Sequence, residues 1–200
     1  MSSAPSVNSD VNRIITYWFD GDQPMKKWFQ GGATVDAEIS EKFSTLVTKA
    51  RDSQLNSWKE EPKSTLALII LLDQFSRNLN RGSPDSYSKD SMTKEIAVEA
   101  IAKGYDREVD HLQQAFFYLP LMHDETLVGQ VAALALYESL ASRCSSDPQV
   151  VDFMKNSISF TKAHLQCILK FGRFPSRNEI LGRQSTPEEI EYLKEHPSGF

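Results

Sequence analysis

One segment limits what this chain can fold into. Pro62 and Ser64 open a helix that runs to about Asn78 and contains Leu66-Ala67-Leu68-Ile69-Ile70-Leu71-Leu72, seven apolar residues in a row. A helix with apolar side chains on every side has no face to offer water, so other helices must enclose it. The run is far short of the ~20 residues that a membrane helix needs, which excludes a bilayer as the enclosing medium.

The rest of the sequence supplies the enclosing helices. Ile39, Phe43, Leu46, Val47 and Ala50 line one face of a helix predicted from about Asp36 to Arg51. Asp10 is placed to cap a helix through Val11, Ile14, Ile15 and Trp18 that stops near Gly21, and Met25 to Phe29 forms a short aromatic turn. Ser91 to Lys103 reads as a helix closed by Gly104 at its C′ position. A helix from about Asp110 is expected to end before Pro120, and Asp124 to cap the next one, through Leu127, Val131, Leu134 and Ala135. After a loop over Ser142 to Ser146, Asp147-Pro148 begins the longest pattern, which runs to Phe171 before Gly172. Thr186-Pro187-Glu188-Glu189 is a capping box that starts a short last helix. No stretch alternates with period two. The expected fold is all-α: a single-domain bundle of antiparallel helix pairs over residues 10–200, preceded by a disordered end over residues 1–9.

Charge and motif content exclude several function classes. A net charge of −5 opposes a general affinity for nucleic acid or an anionic membrane. Residues 1–8 have neither a basic start nor an apolar stretch, so they do not read as a secretory signal. Two cysteines, Cys144 and Cys167, make no disulfide framework and fit a reduced, cytoplasmic setting. There is no HExxH, CxxC, glycine-rich phosphate loop, GxSxG or EF-hand pattern. No metal and no cofactor are expected. A metal held by His123, His164 and a carboxylate such as Asp73 or Glu125 is chemically conceivable, but those residues lie far apart in sequence.

Three polar motifs carry whatever chemistry the chain has. In Leu72-Asp73-Gln74-Phe75-Ser76-Arg77-Asn78-Leu79-Asn80-Arg81, Asp73 and Arg77 share a helix face, with Gln74, Asn78 and Arg81 beside them. In Pro120-Leu121-Met122-His123-Asp124-Glu125, a histidine able to titrate near neutral pH stands at a helix start. In Phe171-Gly172-Arg173-Phe174-Pro175-Ser176-Arg177-Asn178 and on to Arg183, three arginines face one glutamate. His164 lies on the preceding helix among apolar neighbours. Each motif has a structural alternative: an internal ion-pair network, a helix cap, a core histidine.

At these motifs the sequence resembles the bacterial and fungal domain-of-unknown-function family 924, whose members have a tetratricopeptide-like helical fold. The resemblance runs from Tyr17-Trp18-Phe19 and Lys27-Trp28-Phe29, through the three motifs, to Leu181-Gly182-Arg183 and Thr186-Pro187-Glu188-Glu189. It implies the fold and a shared polar cluster. Ser76, Asp124 and Ser176 stand where the family commonly has Pro, Ser and His.

Two functions follow as expectations. In the first, the protein binds a small anionic molecule bearing phosphate or carboxylate, and is an enzyme if a histidine moves a proton. Arg77, Asn78, Arg81, Arg173, Arg177 and Asn178 would hold the ligand, His123 or His164 would move the proton, and Asp73 or Glu125 would orient these groups. In the second, paired helices bind a peptide as an interaction scaffold, and the polar cluster is structural. The ligand reading expects the motifs to share one region.

Overall fold

The computed structural model describes residues 7–21, 24–144, 148–197 and 199, apart from the side chain of Gln149. Among them there is no strand, and the chain is an all-α protein. It forms two compact units: Met1–Arg81 with Asp85–Phe117, and Gly82–Pro84 with Tyr118–Phe200.

The first unit is built on the apolar helix. Helix α4 (Pro62–Ile69) runs into a π-helical turn over Ile70–Phe75 and then α5 (Ser76–Leu79). Leu66 to Leu72 are all buried, as side chains that are apolar on every side require. Helices α1 (Val7–Phe19) and α6 (Asp90–Lys103) pack on α4, while α3 (Gly32–Arg51) packs on the π-turn and α5. Burying Val35, Ile39, Phe43, Leu46, Val47 and Ala50 follows from the i, i+4, i+7 spacing of α3. The short helix α2 (Pro24–Gln30) brings Trp28 against Trp18, Phe19 and Phe116.

The π-turn is the feature that periodicity did not show. There the N–H of Ser76 reaches the Leu71 carbonyl, five residues back. Such widened turns are rare and recur at functional sites. Asp73 sits inside it.

In the second unit, α8 (Leu127–Ala141) and α9 (Pro148–Phe171) form a packed pair with Ala133, Tyr137, Leu140, Phe153 and Met154 inside. Gly172, at φ +69°, ends α9 where the sequence placed the stop. The capping box that opens α10 (Pro187–Glu195) is complete: Glu189 N–H donates to Thr186 Oγ1 at 3.2 Å, and Thr186 N–H donates to Glu189 Oε2 at 2.7 Å.

Several expected boundaries move. Helix α1 begins at Val7, so Asp10 is not its cap but an internal residue paired with Arg13 at 2.8 Å. Asp36 lies inside α3 rather than at its start. Helix α7 (His111–Met122) contains Pro120 instead of ending before it. Pro120 lies in the last turn, where its ring removes one intrahelical bond, and His123 N–H still reaches the Leu119 carbonyl at 2.9 Å. Thr126 rather than Asp124 caps α8, accepting from Gly129 N–H at 3.1 Å. Residues 7–9 of the expected disordered end are helical. Its residues 1–6, positions 145–146 of the expected loop and the Asp147 cap lie outside the described residues. Among the described residues no helix is long and apolar enough to cross a membrane.

Candidate functional site

The first motif forms a layered polar cluster in the first unit. Asp73 is 2 % exposed and takes Arg77 Nε and Nη2 on Oδ1 at 3.2 and 3.1 Å. The amide of Gln74 also donates to Asp73. Arg77 Nη2 donates to Asp90 Oδ1 at 2.7 Å, and its guanidinium lies 5.3 Å from the Tyr87 ring centroid. A second layer centres on Asp36, which accepts Asn78 Nδ2 at 2.7 Å and both arms of the Arg81 fork at 2.8 and 2.9 Å. The Arg81 hydrogen bond holds the Asp36 carboxyl below its ordinary range. Ser76 accepts Arg51 Nη1 on its hydroxyl at 2.6 Å, and Arg51 also holds the Asp85 carbonyl and Ser88.

The second and third motifs meet in the second unit, around Phe174. Glu125 accepts Phe174 N–H at 2.7 Å and both ends of the Arg183 fork. Arg183 donates in turn to the Phe174 carbonyl at 3.0 Å and to Asn178 Oδ1 at 2.9 Å. The Phe174 ring carries Arg177 at 4.6 Å and the edge of His164 at 5.4 Å. Arg177 Nη2 donates to the backbone carbonyl of His123 at 2.9 Å. His164 Nδ1 lies 2.8 Å from the Phe160 carbonyl, one helical turn back. Arg173 grips Glu189 with a fork at 2.6 and 2.8 Å, and fully buried Asn178 adds Nδ2 to Glu189 at 3.2 Å.

The acids in this unit are strongly committed. Burial pushes the Glu125 carboxyl up, but the Arg183 and Phe174 hydrogen bonds, with the charges of Arg177 and Arg183, outweigh it and leave it below the usual range. The Arg173 hydrogen bond pulls Glu189 down to about 2, against its burial and with help from Thr186 N–H and Asn178. Among the described residues no three His, Cys, Asp or Glu side chains stand together as a metal site would need.

A family model described as "Bacterial protein of unknown function (DUF924)" matches residues 14–197. The chain belongs to this family. The structure of the protein of unknown function ATU0120 from Agrobacterium tumefaciens is similar, with 33 % identity and a TM-score of 0.80 over 95 % of this chain and 99 % of that one. No curated protein matches.

Sequence reasoning on this DUF924 member named the arginines and missed most of their partners. Asp36, Asp90 and Glu189 were not singled out as site residues, and Arg183 was noted only as following the third motif. A signal existed for the last motif: three arginines with one glutamate among them must find carboxylates elsewhere, and Glu125 and the capping-box Glu189 were the acids on offer. For Arg81 the partner lies 45 residues away on another helix, which no local pattern reveals.

Proposed function

We propose that this protein is a helical interaction scaffold of tetratricopeptide-like type, and that its arginine motifs are clamps that hold each unit together. The observation that carries this is the commitment of the arginines. Arg77 holds Asp73 and Asp90, Arg81 holds Asp36, Arg173 holds Glu189, and Arg177 holds the His123 carbonyl. An anionic ligand at Arg77 or Arg173 would have to displace a carboxylate that is 2–3 % exposed, leaving that charge buried and unpaired. The scaffold reading also suits α8, whose outward side holds Leu127, Val128 and Val131, the second 80 % exposed. The two free cysteines are buried, which fits a reducing, cytoplasmic setting.

The test is melting of arginine variants with and without inorganic phosphate. The clamp reading expects Arg77→Ala and Arg173→Ala to melt lower in the absence of phosphate, while Arg81→Ala and Arg177→Ala leave any phosphate-induced shift as large as in the unsubstituted chain. If Arg177→Ala keeps the melting temperature but abolishes a phosphate-induced shift, the motif is a ligand site and the scaffold reading fails.

A further inference from the structure

A cleft of about 1010 Å³ opens in the first unit where the starts of α1, α4 and α7 come together. Its walls are held by groups that are already engaged. Ser64 and Thr65, in the first turn of α4, donate their hydroxyls to the Trp58 carbonyl at 2.8 and 3.0 Å and so fix the 3₁₀ turn Asn56–Glu60. Tyr105 Oη donates to the Glu60 carbonyl at 2.9 Å, which ties the turn Tyr105–Glu108 to the first one. Buried Asp106 in that turn accepts Gln114 Nε2 from α7 at 3.0 Å. The cleft therefore exists before anything enters it, and an occupant need not pay to order its walls.

The side chains that line the cleft are a different population. Asn8 and Asn12, one turn apart on α1, stand there with Lys63 at the start of α4 and Arg107, Glu108 and Asp110 ahead of α7. Among the described residues none of these six side chains makes a hydrogen bond or an ion pair, whereas Arg77, Arg81, Arg173 and Arg183 are all engaged. Glu61, Glu108 and Asp110 stand against Lys63 and Arg107, so the lining has one more acid than base, in a chain whose net charge is −5. Its apolar part is aliphatic, with Val7 half-exposed beside Pro62 and Val109.

Those features choose among occupants. Sugar rings and nucleobases bind best over an aromatic face, and among the described residues no aromatic side chain lines the cleft. An anion meets more acids than bases. A peptide backbone repeats the donor and acceptor that each Asn amide presents. Side chains one turn apart on a helix are about 5–6 Å from each other, close to the ~6.6 Å two-residue repeat of an extended chain. The field of an acidic protein steers a cationic segment towards the acids of the cleft.

We propose that this cleft seats an extended segment of a partner protein that carries lysine or arginine, with the Asn8 and Asn12 amides on its backbone and Glu108 and Asp110 on its cation. The inference rests on the scaffold reading, to which it adds a site and the chemistry of the partner.

An arrayed library of capped nonapeptides, with Lys, Arg, Glu or Ser fixed at one position and the others varied, probes the full chain at pH 7. The Lys and Arg sets should be captured and the Glu set not, and the affinity of a captured peptide, read by fluorescence anisotropy, should fall as salt is added. Glu108→Gln combined with Asp110→Asn should weaken it about tenfold, and Asn12→Ala about fivefold. Both variants should melt as the unsubstituted chain does, because these side chains hold no other part of the fold. Failure to capture the Lys and Arg sets, or equal capture of the Glu set, overturns the proposal. So does an affinity unchanged in both variants, which puts the peptide elsewhere on a scaffold that still stands. Spermidine that binds with the same dependence on Glu108 and Asp110, while no peptide is captured, overturns it in favour of a small-cation site. The scaffold reading fails by a separate measurement, the phosphate-dependent melting of Arg177→Ala, which involves no residue of the cleft.

Discussion

In the first unit a carboxylate stands inside a helix and meets its arginine four residues on. In the second, Glu125 at a helix start reaches 49 and 58 residues along the chain to hold the turn after α9. Asp73 is nearly sealed, and a neighbouring helix adds Asp90 to the same guanidinium, so this cluster joins helix to helix. Glu125 is a quarter exposed and binds backbone as well as side chain, so its cluster gives form to a segment with little helical bonding of its own. The comparison teaches that one chemical pair, arginine and carboxylate, costs most to break where water cannot take over, and controls local order where it can.

The comparison breaks first at Arg77. Arg77→Ala strands the buried Asp73 and is expected to cost about 3–5 kcal/mol, read as a large fall in the thermal midpoint. A fall no larger than that of Arg183→Ala would mean that burial does not separate the two clusters. Arg183→Ala leaves Glu125 partly hydrated and still bonded to Phe174 N–H, so about 1–3 kcal/mol is expected. Its sharper signature is faster amide exchange over residues 174–178, with α8 and α9 unaffected.

Acid sharpens the comparison within the second unit. Because the folded Glu189 carboxyl is depressed to about 2, its contribution is fully present above the unfolded carboxyl range and is lost as pH falls from about 5 towards 2. Glu189→Gln should therefore melt lower than the unsubstituted chain at pH 7, and the gap should close across that window. A gap independent of pH would show that the pair acts through shape alone. The smallest effect belongs to Arg81, whose side chain is 63 % exposed. Arg81→Ala should cost about 0–1 kcal/mol, and adding salt to the unsubstituted chain should mimic part of that loss.

Much of the architecture was legible because helix formation depends on neighbours three and four residues away. Leu66 to Leu72 announced the enclosed helix, Ile39 to Ala50 the face that packs on it, and Gly104, Gly172 and Thr186 the ends, each through local sterics or a local cap. Boundaries shift where a local signal is outweighed: Pro120 signals a stop, yet in a last turn it removes only one bond. The polar motifs were legible as concentrations of charge but not as contacts. Whether Arg81 faces solvent or Asp36, and whether the Glu189 of a capping box also anchors Arg173, depend on segments brought together across 16 to 45 residues of chain. The sequence by itself determined most of the helices, since α-helical hydrogen bonds close within four residues, but not the π-turn, whose bond reaches five residues back. Only the tertiary structure decided which charges are spent on one another, because a side chain's partner is set by packing and not by its place in the chain.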